Sequence, residues 1–452
     1  MKKIKAIRNI FSEFKNSETR RNTFFALFGN LVYSLLGFIG IALLARSLPL
    51  SDYGGWIIYL TASSLLEMMR SGFLHTALVR FSSGSDIKTQ NEYIASSWVI
   101  GLVFTFCTGL LVFLLFVLLE EFNIQSSYHY FLKYYPLLAL ASLPISIAGS
   151  ILQFKMHFGK MIKLRLLTMT LNLIVFIAAY FLHFSLETLI VLHLFANVAS
   201  SIFFILIKWS GIELLKYFKK EKIRELAHFG KYTLGTLIGT NLLKSSDTFI
   251  LAFVSSSSAA ALYSVPLKLT EVFEIMLRAI VSVALPKLSD YSVKNQLKDV
   301  KRVFQDYSGL LTFVYIPVMF LCFIFAEFLL GVLGGSEFKQ MEGVFRVFCF
   351  YGLLLPIDRF TGVTLDCLNL PKYNFIKILA MVTFNICFNF LVLHFTSDLK
   401  YIALGTVLTT SLGIVIGIKF LNSSFQTSIG IILQSGYFFI KRTKVDIHRL
   451  LA

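Results

Sequence analysis

Forty-two lysines and arginines are spread over 452 residues. Six of them, Arg70, Lys244, Lys268, Arg278, Arg346 and Arg359, interrupt long apolar stretches, as do five carboxylates, Glu67, Asp247, Glu271, Glu274 and Asp358. An ionised side chain carried to the middle of a bilayer costs about 2.5–3.5 kcal/mol on insertion scales, so such groups face a wet cavity or a partner. Cations there suit an anionic ligand; carboxylates suit a proton or a small cation. Lys268, Glu271, Glu274 and Arg278 form the densest group. At roughly 100° per residue they share one arc of about 120°. The other faces of that segment are Val, Phe, Ile, Leu and Ala, so it reads as a helix lining a cavity. Lys244 and Asp247 stand three apart, as do Glu67 and Arg70, and each couple can meet on one helical face. Arg346 lies toward the outer side of its segment, and Asp358 and Arg359 toward the inner side. The plain alternative is that pairs such as Glu274–Arg278 only fasten neighbouring helices. Small residues meet that need at lower cost, which favours the cavity for the set as a whole. His75, His157 and His193 are scattered and read as structural.

Helices must carry these residues. Apolar residues make up 56% of the chain and charged ones 15%, against about a quarter charged in soluble proteins, so most of the surface never meets water. A spanning helix needs about 20 mostly apolar residues. Twelve segments qualify, at 22–45, 53–74, 93–119, 130–153, 162–183, 187–208, 232–254, 260–285, 306–330, 342–365, 373–395 and 399–421. This divides the chain into a basic N-terminal segment (1–21), a six-helix bundle (22–208), a charged connector (209–231), a second six-helix bundle (232–421) and a tail (422–452). The N-terminal segment reads as a cytoplasmic lead-in helix, without the cleavage site of a signal peptide. The tail reads as cytoplasmic or as a helix at the membrane interface around 425–440, a thirteenth crossing being the alternative. Five cysteines form no C-x-x-C pair and read as buried thiols without disulfides or metal.

Loop charges give the orientation. With the N-terminus cytoplasmic, thirty-two Lys and Arg fall on the inner side, and only Arg46, Lys133, Lys339 and Lys400 on the outer. Positive charge held inside in strict alternation places both termini in the cytoplasm. It also accounts for the net charge of +17 without nucleic acid, for which no basic helix or aromatic platform stands clear of the apolar segments. The two halves echo each other. Tyr53 and Tyr263 follow an outer turn at an offset of 210, and Gly159-Lys160…Asn172 matches Pro371-Lys372…Asn385 at 212 to 213. Repeats starting on one side of the membrane imply a pseudo-two-fold along its normal. The charges of spans two and eight are then expected to face a central lumen. The sequence holds no P-loop, H-E-x-x-H or G-x-S-x-G, so an enzyme is not indicated, no cofactor or metal is expected, and a secondary transporter is.

Residues 29–56, ending in Ala45, Arg46, then Asp52, Tyr53 and Gly54, resemble the opening of the polysaccharide biosynthesis flippases of the multidrug/oligosaccharidyl-lipid/polysaccharide exporter superfamily. ALYSVPLKLTEVFE, with Tyr263 and Lys268, Pro286 in LPKLS, and Asn369 and Lys372 in LDCLNLPKYN are similar to further patterns of that family. The resemblance implies a bacterial inner-membrane flippase that moves undecaprenyl-diphosphate-linked oligosaccharide for O-antigen, lipopolysaccharide, capsule or related polymers by alternating access. It implies Arg70, Lys244, Lys268, Arg278, Arg346 and Arg359 as the substrate-binding lumen, with membrane lipids around it. Glu67, Asp247, Glu271, Glu274 and Asp358 are then candidates for coupling to H+ or Na+, and polymerase and chain-length components are possible partners. Arg46 and Asp52 read as interface anchors or a turn-fixing pair, with a direct ligand role for Arg46 as the alternative. The mixed sign of the cavity departs from the family's cationic theme. It leaves the charge of the sugar open. Two alternative functions stand beside the flippase: an ion-coupled exporter of drugs or metabolites, and a membrane polysaccharide polymerase. The second lacks the large loop that such enzymes carry.

Overall fold

The computed structural model describes residues 17–82, 85–122 and 128–451, and these residues contain helices and turns without strands. The long helices are α1 (Ser17–Ser47), α2 (Leu50–Ser82), α3 (Ile87–Glu121), α4 (His129–Phe154), α5 (Phe158–Leu182) and α6 (Leu186–Leu206), then α7 (Lys220–Ile250), α8 (Ser257–Val293), α9 (Leu297–Ile324), α10 (Glu342–Cys367), α11 (Pro371–Phe395) and α12 (Leu399–Leu421), followed by α13 (Ile429–Leu451). Each of the twelve segments read from the sequence is a helix; the lead-in helix proposed for 1–21 lies mostly outside the described residues. Among the described residues, α3–α6 and α9–α12 are long and apolar enough to cross a bilayer. The charge-bearing α2 and α8 do not meet that test of composition.

Starts and stops follow local chemistry. Asp86, Ser185 and Ser256 cap α3, α6 and α8 by accepting the backbone N–H three residues on. Pro371 opens α11, where its missing N–H costs nothing. The link left between the segments 232–254 and 260–285 shrinks to Ser256. A π-helical turn, Leu251–Ser255, prolongs α7, and the alanines, strong helix formers, open α8. The link between α9 and α10 is more built than the sequence suggests, with a nine-residue helix Ala326–Gly334 and a 3₁₀ turn Ser336–Met341 hinged on Gly335 at φ 93°.

By internal contacts the chain forms two compact units, Met1–Ile238 and Gly239–Ala452, so the division falls inside α7. Within the first unit, α4 packs against α2, α3, α5 and α6, and α1 lies along α5. Within the second, α10 packs against α8, α9, α11 and α12, and α7 is tied to α11 by Ser246–Asn385 and Asp247–Asn389 hydrogen bonds. The packing order is the same six helices later. The turn before α5 and the turn before α11 also repeat. Met156 (φ 55°) and Asn369 (φ 60°) are both left-handed, and each turn is closed by the same two backbone hydrogen bonds.

The connector is part of the first unit. Trp98 Nε1 donates to Ser210 O (2.9 Å), Lys219 pairs with Glu92 (2.7 Å), and the Tyr93 hydroxyl donates to Glu225 (2.5 Å). Leu226 is 1% exposed within the α2–α3–α4 core. The Tyr93 hydrogen bond, with Lys222 beside it, holds the Glu225 carboxyl below its ordinary pKa. In the second unit α13 crosses α9 at two glycines: a Cβ on Gly436 would strike the Gly309 backbone at 2.3 Å. Ser435 donates to Asp306 (2.5 Å) and Gln305 to Thr427 (3.0 Å) across the same contact.

Candidate functional site

On α8 the arc of charges is present and open. Lys268 pairs with Glu271 at 2.8 Å, with side chains 32% and 51% exposed. Glu274, 19% exposed, takes Lys244 of α7 at 3.0 Å, and Arg278, 60% exposed, stands 3.7 Å from it. Two carboxylates are thus set among three cations, and the exposed side of Arg278 keeps most of its guanidinium donors free for an anion. Arg359, on α10, is exposed.

Lys244 and Asp247 do not meet, contrary to their spacing. Asp247, 4% exposed, turns into the second unit. Its Oδ2 accepts from the Tyr263 hydroxyl (2.8 Å) and Thr406 (2.9 Å), and its Oδ1 from Asn389 (2.7 Å). Asn389 also reaches Asn385 Oδ1 (3.3 Å), which accepts from Ser246 (2.6 Å). Among the described residues no Lys or Arg pairs with Asp247, and the Asn389 carbonyl oxygen has no hydrogen-bond donor. A buried carboxylate held by neutral donors alone, with no cation beside it among the described residues, is a place for a proton or a small cation. No cluster of three or more His, Cys, Asp or Glu suited to a transition metal occurs among the described residues. Asn385 and Asn389 lie four apart on α11; in the sequence Asn385 serves only to mark the repeat.

The first unit has no counterpart to that carboxylate. Offsets of 210 for α7 and 213 for α11 and α12 match Asp247, Asn389 and Thr406 to Gly37, Phe176 and His193. There Trp56 meets Phe176 and His193 edge-on, and His193 nitrogens lie 3.3 Å from the Tyr59 hydroxyl and 3.2 Å from Asn197. His193 is a satisfied, buried residue.

Arg70 corrects the lumen reading. It is 1% exposed, paired with Glu67, and donates to Thr105 (3.1 Å), the Ala139 carbonyl (2.6 Å) and Ser142 (2.9 Å). It clamps α2 to α3 and α4, and in this conformation it touches no open surface. Asp358 is likewise engaged: Lys377 of α11, 4% exposed, binds it at 2.8 Å and reaches Thr361 (3.4 Å). Lys377, which the sequence groups with the inner loop cations, is this partner. Pro371 at the first helical position already placed it nearly two turns inside α11. Arg346 pairs with Glu342 (3.1 Å) at the start of α10 and lies over the Phe323 ring. At the turn between α1 and α2 Arg46 is exposed, Asp52 sits in the first turn of α2 where its charge suits the helix terminus, and Tyr53 and Gly54 are buried.

The profile of the family described as "Polysaccharide biosynthesis protein" matches residues 43–342. A curated relative, the "Probable low-salt glycan biosynthesis flippase Agl15" of Haloferax volcanii, is 21% identical over 436 residues, covering 93% of this chain and 89% of its own. Among solved structures, lipid II flippase MurJ in an inward closed conformation superposes with a TM-score of 0.74 at 15% identity, over 94% of this chain and 92% of that one. An inward-facing multidrug resistance MATE transporter of the MOP superfamily gives 0.71 at 12% identity, over 87% and 96%. The fold is therefore that of multi-pass membrane transporters, and with two thirds of its length matched, the chain belongs to the polysaccharide biosynthesis protein family.

Proposed function

We propose that this protein is a flippase that carries an undecaprenyl-diphosphate-linked oligosaccharide across the cytoplasmic membrane for assembly of O-antigen, capsule or a related polymer. The observation that carries the reading is the open arc of Lys244, Lys268 and Arg278, cations on apolar helices whose side chains stay 32–60% exposed although each has a carboxylate neighbour. Membership in the polysaccharide biosynthesis family and the likeness to a glycan flippase support it. The cations bind the diphosphate; Glu271 and Glu274 hold them in position while the site is empty and compete with the ligand, which keeps binding reversible. The sugar headgroup rests against this arc while the polyprenyl tail stays in lipid, and the arc opens to each side of the membrane in turn. Asp247 is the coupling group. Taking up H+ or Na+ removes an uncompensated buried charge, which ties occupancy of that site to the α7–α8 pair through Tyr263 and the helix shared with Lys244.

The test is replacement of Lys268 or Arg278 by Ala at normal protein level. Loss of surface polysaccharide, with undecaprenyl-linked glycan accumulating in the inner leaflet, is the expected result. Full surface polysaccharide in both variants would sink the proposal. The second reading, an ion-coupled exporter, draws on the carboxylates of the same arc, and resistance or metabolite efflux unaffected by glycan synthesis would favour it.

A further inference from the structure

Between the ends of α12 and α13 lies an open cleft of about 560 Å³ whose walls include Val415, Ile418 and Ile429 and whose rim carries Lys419 and Asn422. That size lies within the range of small-molecule sites. Lys419 is the only charged residue in the lining, is exposed, and has no carboxylate partner among the described residues. Asn422 is engaged in bracing the turn, accepting the Thr427 N–H at 2.7 Å. Along α12 the lining runs from apolar Val415 through Ile418 to cationic Lys419 and polar Asn422, over roughly 10 Å. That is the order of an acyl chain, an ester region and a phosphate. The opposite wall is fixed by the glycine crossing of α13 on α9, so the cleft is built into the fold of the second unit. Val415 (61%) and Ile429 (44%) leave apolar surface uncovered by protein, and lipid tails are the one apolar partner always present at that depth.

We infer that this cleft is a binding site for an anionic phospholipid, its acyl chain against Val415, Ile418 and Ile429 and its headgroup phosphate at Lys419. The site rests on the membrane reading of the fold and not on the substrate of the α7–α8 arc. Lys419 stands on the side of the membrane where loop lysines concentrate, so the same leaflet that the positive loops face supplies the ligand.

The experiment uses the full chain in nanodiscs of mixed phosphatidylcholine and phosphatidylglycerol, with co-retained lipid read by native mass spectrometry. Wild type should retain phosphatidylglycerol in preference to phosphatidylcholine. Lys419→Gln should lose roughly fivefold of that preference, as expected for one interfacial cation, and Val415→Trp, which fills the cleft, should lose retention of both lipids. Wild type without preference, or Lys419→Gln unchanged, would overturn the site. Displacement of phosphatidylglycerol by equimolar undecaprenyl phosphate would reassign it to the carrier lipid. Glycan flipping measured on the same samples separates the two ideas: flipping lost in Lys268→Ala with lipid preference intact bears on the arc alone.

Discussion

α2 and α8 hold the same place in the two repeats, each packed against the next helix and the one after it, and each carries ions in an apolar helix. In α2 the guanidinium of Arg70 is sunk into the first unit, where Glu67, Thr105, Ala139 and Ser142 use its donors. In α8 the cations stay at the surface, Lys268 paired with the exposed Glu271 and Arg278 sharing the half-buried Glu274 with Lys244 of α7. The same residue types thus serve as a rivet in one unit and as a receptive surface in the other. What separates them is how many fixed hydrogen bonds the neighbours supply. α3 and α4 offer a hydroxyl, a carbonyl and a serine at the depth of Arg70, whereas among the described residues Arg278 meets only Glu274.

That difference predicts opposite phenotypes. Arg70→Ala should cost the most in stability, about 3–5 kcal/mol, because it empties a buried, fully packed position and leaves the half-buried Glu67 carboxylate without its cation. The double change Arg70→Met with Glu67→Leu should recover most of it, and thermal melting of purified protein in detergent measures both. If Arg70→Ala melts like wild type, the rivet assignment fails. Lys377→Met should follow the same course at Asp358, with rescue by Asp358→Leu. Arg278→Ala should shift stability by no more than about 0.5 kcal/mol, the range of surface changes, while surface polysaccharide is lost. Asp247→Asn lies between. It keeps the shape of the Tyr263–Asn389–Thr406 network, so the fold persists, but flipping in vesicles should cease to respond to an imposed H+ or Na+ gradient. A response as large as wild type would remove Asp247 from coupling.

The smallest effect concerns the connector. The Glu225 pKa is depressed, so its stabilising contact is complete above the unfolded value of about 4.3 and disappears as pH falls through the lower folded value. Hydrogen exchange over 212–226 should therefore quicken on acidification below pH 5, and Glu225→Gln should flatten that dependence. An unchanged profile in Glu225→Gln would place the pH response elsewhere.

Much of this was legible beforehand for plain physical reasons. Lipid forces every backbone polar group to be satisfied within its own helix, so apolar length alone marked α1 to α12. The repeat could be read from Tyr53 and Tyr263 because a turn fixes its residues locally. Lys377 and Asn389 were not legible in their roles, since their partners stand on other helices.

The sequence by itself determined the number and order of the helices, the internal repeat, and the α8 arc, because each depends on residue type and on a fixed rise or rotation per residue. Tertiary structure alone decided that Arg70 is sealed, that Lys244 turns to Glu274 while Asp247 turns inward to Tyr263, and that Lys377 neutralises Asp358. Whether an ion in an apolar helix stays exposed is set by donors and acceptors that neighbouring helices bring to its depth, and no spacing along one helix encodes them.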